Sequence, residues 1–429
     1  MKLNYKRTIL VGFAFFLISA FWQAYDTIVP LILTNKFHME QTWSGLIMSL
    51  DNVFAVFLLP VFGALSDKVT SRYGRRTPFI FVGTIFAAAF FIILGFTSNL
   101  IAFVLLLLAC LISMATFRSP AVALMPDVTL KPLRSKGNAI INLMGTAGGM
   151  LVLGLSIVFG TSEKGKTDFS SYMIVVSGVM LLALVAFLFT VNEKKWAKEA
   201  DEKSKELGLD KEEEKPENAS PVRKLTKGEL TSLVLILASV ALWYIGYNAV
   251  TSKYSVYATE VLGVPYNVTL LIAQGAAIIS YIPVGIVATK LGRKKTILGG
   301  VAMLTVAFGA ASFITPDTHD IVMYALFCLA GIGWATINVN SFPMVVELAK
   351  HGDVGKYTGF YYTASMSAQI VTPILSGFLI DKIGWWIFFP YAAVFAGFAF
   401  LTMFFVKHGD AAPAKSGSAL EMLAGAEDD

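Results

Sequence analysis

Three ionisable residues stand inside stretches that are otherwise apolar: Asp26 in "FWQAYDTIVP", Asp51 in "LIMSLDNVFAVF" and Arg118 in "SMATFRSPAVAL". Holding an ion in a bilayer costs about 2.5–3.5 kcal/mol on insertion scales, so each group needs a partner or a task. Two carboxylates at one site repel, and they relieve the repulsion by sharing one proton. An arginine beside them pairs with the negative charge or donates to a hydroxyl. This is proton movement and ligand binding, not bond-making. No clustered nucleophile, base or metal set accompanies the three residues. The histidines His38, His319, His351 and His408 fall in stretches read as loops or tail, and Cys110 and Cys328 lie in separate apolar runs. That spacing offers neither a disulfide framework nor a zinc pattern. An enzyme is not expected, nor a metal or organic cofactor; the proton is the expected coupling ion, ahead of sodium.

The elements that must position these groups are membrane helices. A span needs ~20 apolar residues at ~1.5 Å each. On that ruler the chain holds spans near 9–33, 44–66, 77–96, 100–126, 136–160 and 170–191, then 229–250, 266–288, 295–314, 321–347, 355–379 and 384–406. Asp26 and Asp51 each lie about seven residues from the same end of adjacent spans, hence ~10 Å deep. Trp22, Gln23 and Thr27 share the helical face of Asp26. Arg118 sits about eight residues from the far end of the fourth span, ~12 Å deep, with Asn142 of the fifth span at similar depth. From there it either snorkels to the headgroups or reaches a sugar hydroxyl or a carboxylate.

The later spans carry amides and aromatics instead of charges: "WYIGYN" (Trp243–Asn248), Gln274, "GWATINVN" with Trp334 and Asn338, and Tyr362, Ser365 and Gln369 at helical spacing. Aromatic faces cover the C–H sides of a sugar while amides bond its hydroxyls. Each of these residues taken singly also fits an interfacial aromatic belt or a helix–helix amide bond. Gly145 and Gly149 form a G-x-x-x-G, the pattern of a close helix crossing.

Composition agrees with a membrane chain: of 429 residues, 56% are hydrophobic and only 15% charged, against about 25% charged in soluble proteins. The net charge of +5 reflects loop topology rather than nucleic-acid binding. Lys68, Arg72, Arg75 and Arg76, then Lys131, Arg134 and Lys136, then Lys290, Arg293, Lys294 and Lys295 crowd the even-numbered loops, while the odd ones hold scattered cases such as Lys36, Lys164, Lys166, Lys253 and Lys382. Positive residues collect on the cytoplasmic side, so both termini are expected there, in a multi-pass protein of the cell membrane. Lys2, Lys6 and Arg7 precede an apolar run too long for a signal-peptide core, and the run is read as a retained helix. "GTSEKGKT" (Gly160–Thr167) fits the P-loop pattern, but it joins two spans rather than a strand and a helix, so no nucleotide site is expected.

The organisation expected is an all-α membrane protein of twelve transmembrane helices in two parallel six-helix bundles: 1–191, a charged cytoplasmic linker at 192–228, 229–406, and a tail at 407–429. The doubling rests on a repeat. "GALSDKVTSRYGRRT" after the second span has a counterpart in "GIVATKLGRKKT" after the eighth, and "SPAVALMPD" is echoed by "SFPMVVE".

At Gly63, Asp67, Gly74, Arg75 and Arg76 the chain resembles the major facilitator superfamily of transporters. The longer pattern Pro60–Ile80 resembles the proton-coupled sucrose transporters and their relatives, and "SPAVALMPDVTLKP" resembles the melibiose-type glycoside–cation symporters. It departs from the melibiose type, which carries paired acids in its second helix where this chain has Ala55 and Leu59. It departs from the sucrose carriers in placing Val122, not arginine, at their helix 4 position, with Arg118 one turn earlier. The resemblance implies a major facilitator fold, secondary transport of a sugar or glycoside with protons, and a monomer among membrane lipids. It makes Gly63, Asp67, Gly74, Arg75 and Arg76, with the repeat residues Gly292 and Arg293, a cytoplasmic gate. Asp26 and Asp51 are the expected proton-coupling acids. Gln23, Arg118, Asn142, Gln274, Trp334, Asn338 and Gln369 are the expected substrate contacts. A drug or metabolite exporter of the same fold is the rival reading; the Gly-Pro signature that drug antiporters carry in the fifth helix is absent here.

Overall fold

Backbone N–H and C=O groups surrounded by hydrocarbon must pair within their own segment, so every long apolar run becomes a helix. The computed structural model describes residues 3–207, 226–348 and 354–409. The centre of the expected linker, His351 and most of the expected tail lie outside the described residues. The helices are α1 (Tyr5–Leu31), α2 (Gln41–Lys68), α3 (Thr77–Phe96), α4 (Leu100–Val128), α5 (Arg134–Val158), α6 (Ser170–Thr190), α7 (Glu193–Glu206), α8 (Lys227–Val256), α9 (Tyr266–Leu291), α10 (Arg293–Ala311), α11 (Asp320–Glu347), α12 (Val354–Ile383) and α13 (Phe388–Phe404). All but α7 are long and apolar enough to cross a membrane, giving 12 such spans among the described residues. The exception, α7, lies in the charged linker.

Polar residues at the span boundaries set where helices begin. The side chain of Asn99 accepts from Ala102 N at 3.0 Å to open α4. Thr226 and Glu229 form a reciprocal capping box on α8, which satisfies donors the first turn leaves free.

The repeat reappears as matched irregularities. The opening helix of each half, α1 and α8, runs on into a π-helical turn, Ile32–Lys36 and Tyr257–Leu262. The second helix of each half holds an interior proline, Pro60 in α2 and Pro283 in α9. So does the fourth, with Pro120 and Pro126 in α4 and Pro343 in α11. An interior proline removes one backbone hydrogen bond, and neighbouring helices make that tolerable in a membrane.

The chain divides into two compact units. One comprises Met1–Phe37, Leu50–Thr161 and Lys166–Glu217; the other comprises His38–Ser49, Ser162–Gly165 and Asn218–Asp429. In the first, α1 packs on α5 and α6, and α3 on α4 and α6. The α1–α5 crossing runs over Gly145 and Gly148, where an added Cβ would come within 2.8 Å of Ser19 Oγ and 2.5 Å of Phe16 O. The G-x-x-x-G stretch falls on this crossing, with Gly145 and Gly148 as points of approach. In the second unit α8 packs on α12 and α13, and α11 on α9 and α10. Gly300 and Gly333 let α10 and α11 touch backbone to backbone, a Cβ on either falling within 2.9 Å of the other's carbonyl.

Candidate functional site

The helices run past the expected spans on both sides of the first loop. Asp26 is ten residues from the end of the π turn at Lys36, and Asp51 ten from Gln41, or roughly 15 Å along each helix. Arg118 is likewise ten residues from Val128, again roughly 15 Å. All three are half-buried in the first unit.

They form one electrostatic group: Asp26 and Asp51 interact with each other and both with Arg118. The guanidinium lies over the ring of Trp22, 5.4 Å from its centroid. Trp22 is itself set edge-on against Phe21 and Tyr25, with centroids 5.3 Å away in each case. Arg118 therefore turns toward the acids rather than to a headgroup. Asp51 is held by Asn52, whose backbone N and Nδ2 both donate to Oδ1, at 2.6 and 2.8 Å. With both acids ionised the group carries one net negative charge; with one proton bound it is neutral. In a low-dielectric surrounding the Coulomb cost of that difference is large.

Beside this group stand two buried donors without a partner in the structure, Trp22 Nε1 and Tyr25 Oη, and Asn142 Nδ2 on α5 is likewise buried and unpartnered. Thr27, expected on the same face, donates instead to Gln23 O at 2.7 Å and is used up within its own helix.

The second unit supplies aromatics and amides. Trp334 of α11 lies flat against Tyr247 of α8, centroids 3.6 Å apart and planes within 1°, and meets the edge of Tyr244 at 5.3 Å. Asn248 Nδ2 and Asn338 Oδ1 are buried without a partner. Gln274 is half-buried on α9, next to Ala273, where Gly331 brings α11 against the α9 backbone. Gln369 is half-buried on α12. Its neighbour Ser365 donates back to Tyr362 O at 3.3 Å, and Asn340 to Thr336 O at 2.9 Å, so these two polar groups serve their own helices. Tyr25 was not singled out from sequence, whereas Tyr247 and Asn248 end the WYIGYN stretch; the packing of all three appears only once α1 and α8 are folded.

A third assembly sits at the α2–α3 loop of the first unit. Arg76, only 4% exposed, donates to Asp67 at 2.5 Å, to Asp127 at 2.8 Å and to Ser66. Arg75 also grips Asp127, at 2.6 Å, and that bond pushes Arg75 above the ordinary arginine range. Gly63 lets α4 approach, since a Cβ there would stand 2.8 Å from Ser119 Oγ.

The buried Glu193, at the start of α7, receives the backbone N–H of Arg75, Arg76 and Thr77 and the Thr77 hydroxyl, all at 2.7–2.8 Å. A carboxylate on the first amides of α3 is the arrangement a helix N-terminus favours. Gly74, at φ +121, leaves the room this carboxylate occupies. Asp127, which ends the stretch SPAVALMPD, and Glu193, in the expected linker, were not predicted as site residues.

In the second unit Gly292, at φ +86, opens α10. Arg293 bonds Glu347, as Arg75 and Arg76 bond Asp127. Lys294 then donates to the carbonyls of Phe404 and Val406 at 2.8 and 2.5 Å. The first loop donates its backbone amides to a carboxylate beyond the sixth helix, and the second donates a lysine side chain to carbonyls at and beyond the end of that helix.

Lys253, expected in a loop, lies inside α8 with no exposure, its Nζ donating to Gln41 O at 2.7 Å. The lysine of the P-loop-like stretch, Lys166, donates to the carbonyls of Phe159 and Gly160 at 2.7 and 3.1 Å. It serves to close a turn.

The family model described as Major Facilitator Superfamily matches residues 11–337 and 266–422. An uncharacterized MFS-type transporter of Methanocaldococcus jannaschii is 23% identical over 411 residues, covering 94% of this chain and 95% of that protein. The chloramphenicol resistance protein CraA of Acinetobacter baumannii is 29% identical over 161 residues, 36% of this chain and 37% of its own length. A sucrose transport protein of Arabidopsis thaliana is 28% identical over 135 residues, 26% of this chain and 23% of its own. Among solved structures, the inward open xylose transporter XylE from E. coli shares the fold with TM-score 0.66 at 15% identity, over 98% of this chain and 99% of that one.

Proposed function

The chain belongs to the Major Facilitator Superfamily and is an integral multi-pass transporter rather than an enzyme; on that footing we propose that it is a proton-coupled symporter of a neutral sugar or glycoside. The observation that carries the proposal is the contrast between the two polar sets. The first unit sets Asp26, Asp51 and Arg118 within its spans as one group that a single proton neutralises. The second unit offers a stacked aromatic pair and buried amides with unmet hydrogen bonds. A neutral polyhydroxyl ligand supplies hydroxyls to Asn248 and Asn338 and a C–H face to the aromatics of the same unit, and needs no counter-charge. Coupling then falls to the acids. Loading a proton removes the net charge that would otherwise oppose movement through the low-dielectric part of the cycle.

In this reading Asp26 and Asp51 carry the proton, with Arg118 as their counter-ion. Gln23, Asn142, Gln274, Trp334, Asn338 and Gln369 face the ligand. Gly63, Asp67, Gly74, Arg75 and Arg76, with Gly292 and Arg293, gate the cytoplasmic side. The lysine-rich loops put both termini in the cytoplasm, and the chain works as a monomer in lipid. The similarity to a plant sucrose transport protein supports the sugar class.

A second reading has its own observation. The chloramphenicol resistance protein is 29% identical to a third of the chain, and a pair of intramembrane acids also suits export of a lipophilic cation. Proteoliposomes holding the full chain, given an inward proton gradient and labelled glucosides, separate the two. Accumulation that collapses with the gradient is expected. No accumulation of any glucoside, together with proton-driven extrusion of a lipophilic cation, overturns the symporter.

A further inference from the structure

The start of α2 is held by charges that the coupling group does not use. Residues 38–49 belong with the second unit, and two elements of that unit, α8 and α12, close on the first turn of α2. Asp381, at the end of α12, receives Gln41 N at 2.8 Å, Thr42 N at 2.7 Å and Thr42 Oγ1 at 2.6 Å. It thereby caps the helix from another element, meeting donors that a first turn otherwise leaves free. Lys253 of α8, wholly buried, places its ammonium on Gln41 O at 2.7 Å. Gly377 of α12 abuts Gln41 O, and Gly45 abuts Pro373 O, so closely that a Cβ on either glycine would collide.

We infer that Lys253 and Asp381 are a latch that closes the Gln41 end of the transporter by gripping the backbone of α2. A buried ammonium is costly unless paired, and here its described bond is to a carbonyl of a helix that starts at the surface. Such a group is stable in the closed arrangement and becomes hydrated when the first turn of α2 moves away. Alternating access demands that arrangement and its opposite in turn. Asp381 works the other way: exposed to solvent, it surrenders its amides to water at little cost, so the latch releases readily. Because every bond of the grip except that from the Thr42 hydroxyl is to a main-chain atom, the identity of residue 41 matters less than that of the two clamping side chains. The inference rests on the transporter family alone and stands whether the cargo is a sugar or a cation.

The test uses the full chain with Cys110→Ser and Cys328→Ser, and Ser44→Cys as reporter, since Ser44 has no exposure in the closed arrangement. The rate of labelling by a membrane-impermeant maleimide reads how often the Gln41 end opens. Loss of a cap shifts a local equilibrium by about fivefold or more, so Asp381→Ala and Lys253→Met should each speed labelling by that factor. Asp381→Ser, whose hydroxyl can cap, should restore most of the protection, and the thermal unfolding midpoint of the Asp381 variants should stay near the parent's. Unchanged labelling in Asp381→Ala overturns the latch, as does equal labelling in Asp381→Ser and Asp381→Ala. A rise in labelling that only tracks a fall in unfolding midpoint also overturns it, since that is general loosening. If Lys253→Met does not fold, the exposed Asp381 pair decides the matter alone.

Discussion

A carboxylate at Asp26 and one at Asp51 share the field of a single guanidinium, so removing one acid leaves the group permanently near neutrality. Asp26→Asn should therefore abolish proton-driven accumulation while substrate exchange across the membrane, which needs no net proton movement, persists. A mutant that still concentrates substrate against its gradient removes Asp26 from the coupling role. The amides behave differently. A buried polar group that loses its partner costs about 1–3 kcal/mol, so Asn338→Ala or Gln369→Ala should weaken disaccharide binding roughly tenfold. Binding of a disaccharide and of a lipophilic cation can be measured side by side on Gln369→Ala and Asp51→Asn. Loss of the cation's binding in Asp51→Asn, with no disaccharide bound by any variant, would sink the sugar reading. The three charged residues were legible in the sequence because ions in apolar runs are conspicuous. Lys253 was not, because it falls close enough to the end of its span to pass for a loop residue, whereas the folded α8 runs on to Val256 and buries it against Gln41 O.

Along single elements, local chemistry reaches further than sequence distance suggests. The start of α3 has no side-chain cap of its own at Arg76, and Glu193, more than a hundred residues on, supplies four acceptor contacts instead. Glu193→Ala should strip that cap and lower the thermal unfolding midpoint by an amount corresponding to about 1–2 kcal/mol. Glu193→Gln, which keeps one acceptor oxygen, should fall between the two. An unchanged midpoint in Glu193→Ala would mean water replaces the carboxylate without loss. The same elements show why the spans were predictable to within several residues and their ends were not. Hydropathy marks the part of a helix in hydrocarbon, whereas α2 and α4 are extended by caps and ion pairs that apolar patterning does not register. The motif Gly63–Arg76 was readable as a unit, and the echoed stretches SPAVALMPD and SFPMVVE end in the acids that its arginine and the repeat's arginine bond, but Glu193 lies on another helix and carries no local signal.

Across the whole molecule, α2 strings three functions along one rod: the latch at Gln41, the acid at Asp51 and the Asp67 end that Arg76 holds. Asp67 lies sixteen residues from Asp51, or roughly 24 Å along the helix axis. At that separation a side chain at the loop makes no contact with a ligand bound beside Asp51, and a ligand's intrinsic affinity is set by its own contacts. The loop network can bias the balance between the arrangements the transporter visits, which changes how fast the cycle turns and rescales apparent affinity by the fraction of competent molecules. Asp67→Asn and Arg75→Ala should therefore slow transport markedly while equilibrium binding to the purified protein stays within a few-fold of the parent. Arg75→Ala should be the milder of the two at the level of folding, because Arg76 retains Asp127 at 2.8 Å when Arg75 is gone. Complete loss of binding in a folded Asp67→Asn protein would place the loop at the ligand and break the separation between gate and site that the length of α2 imposes.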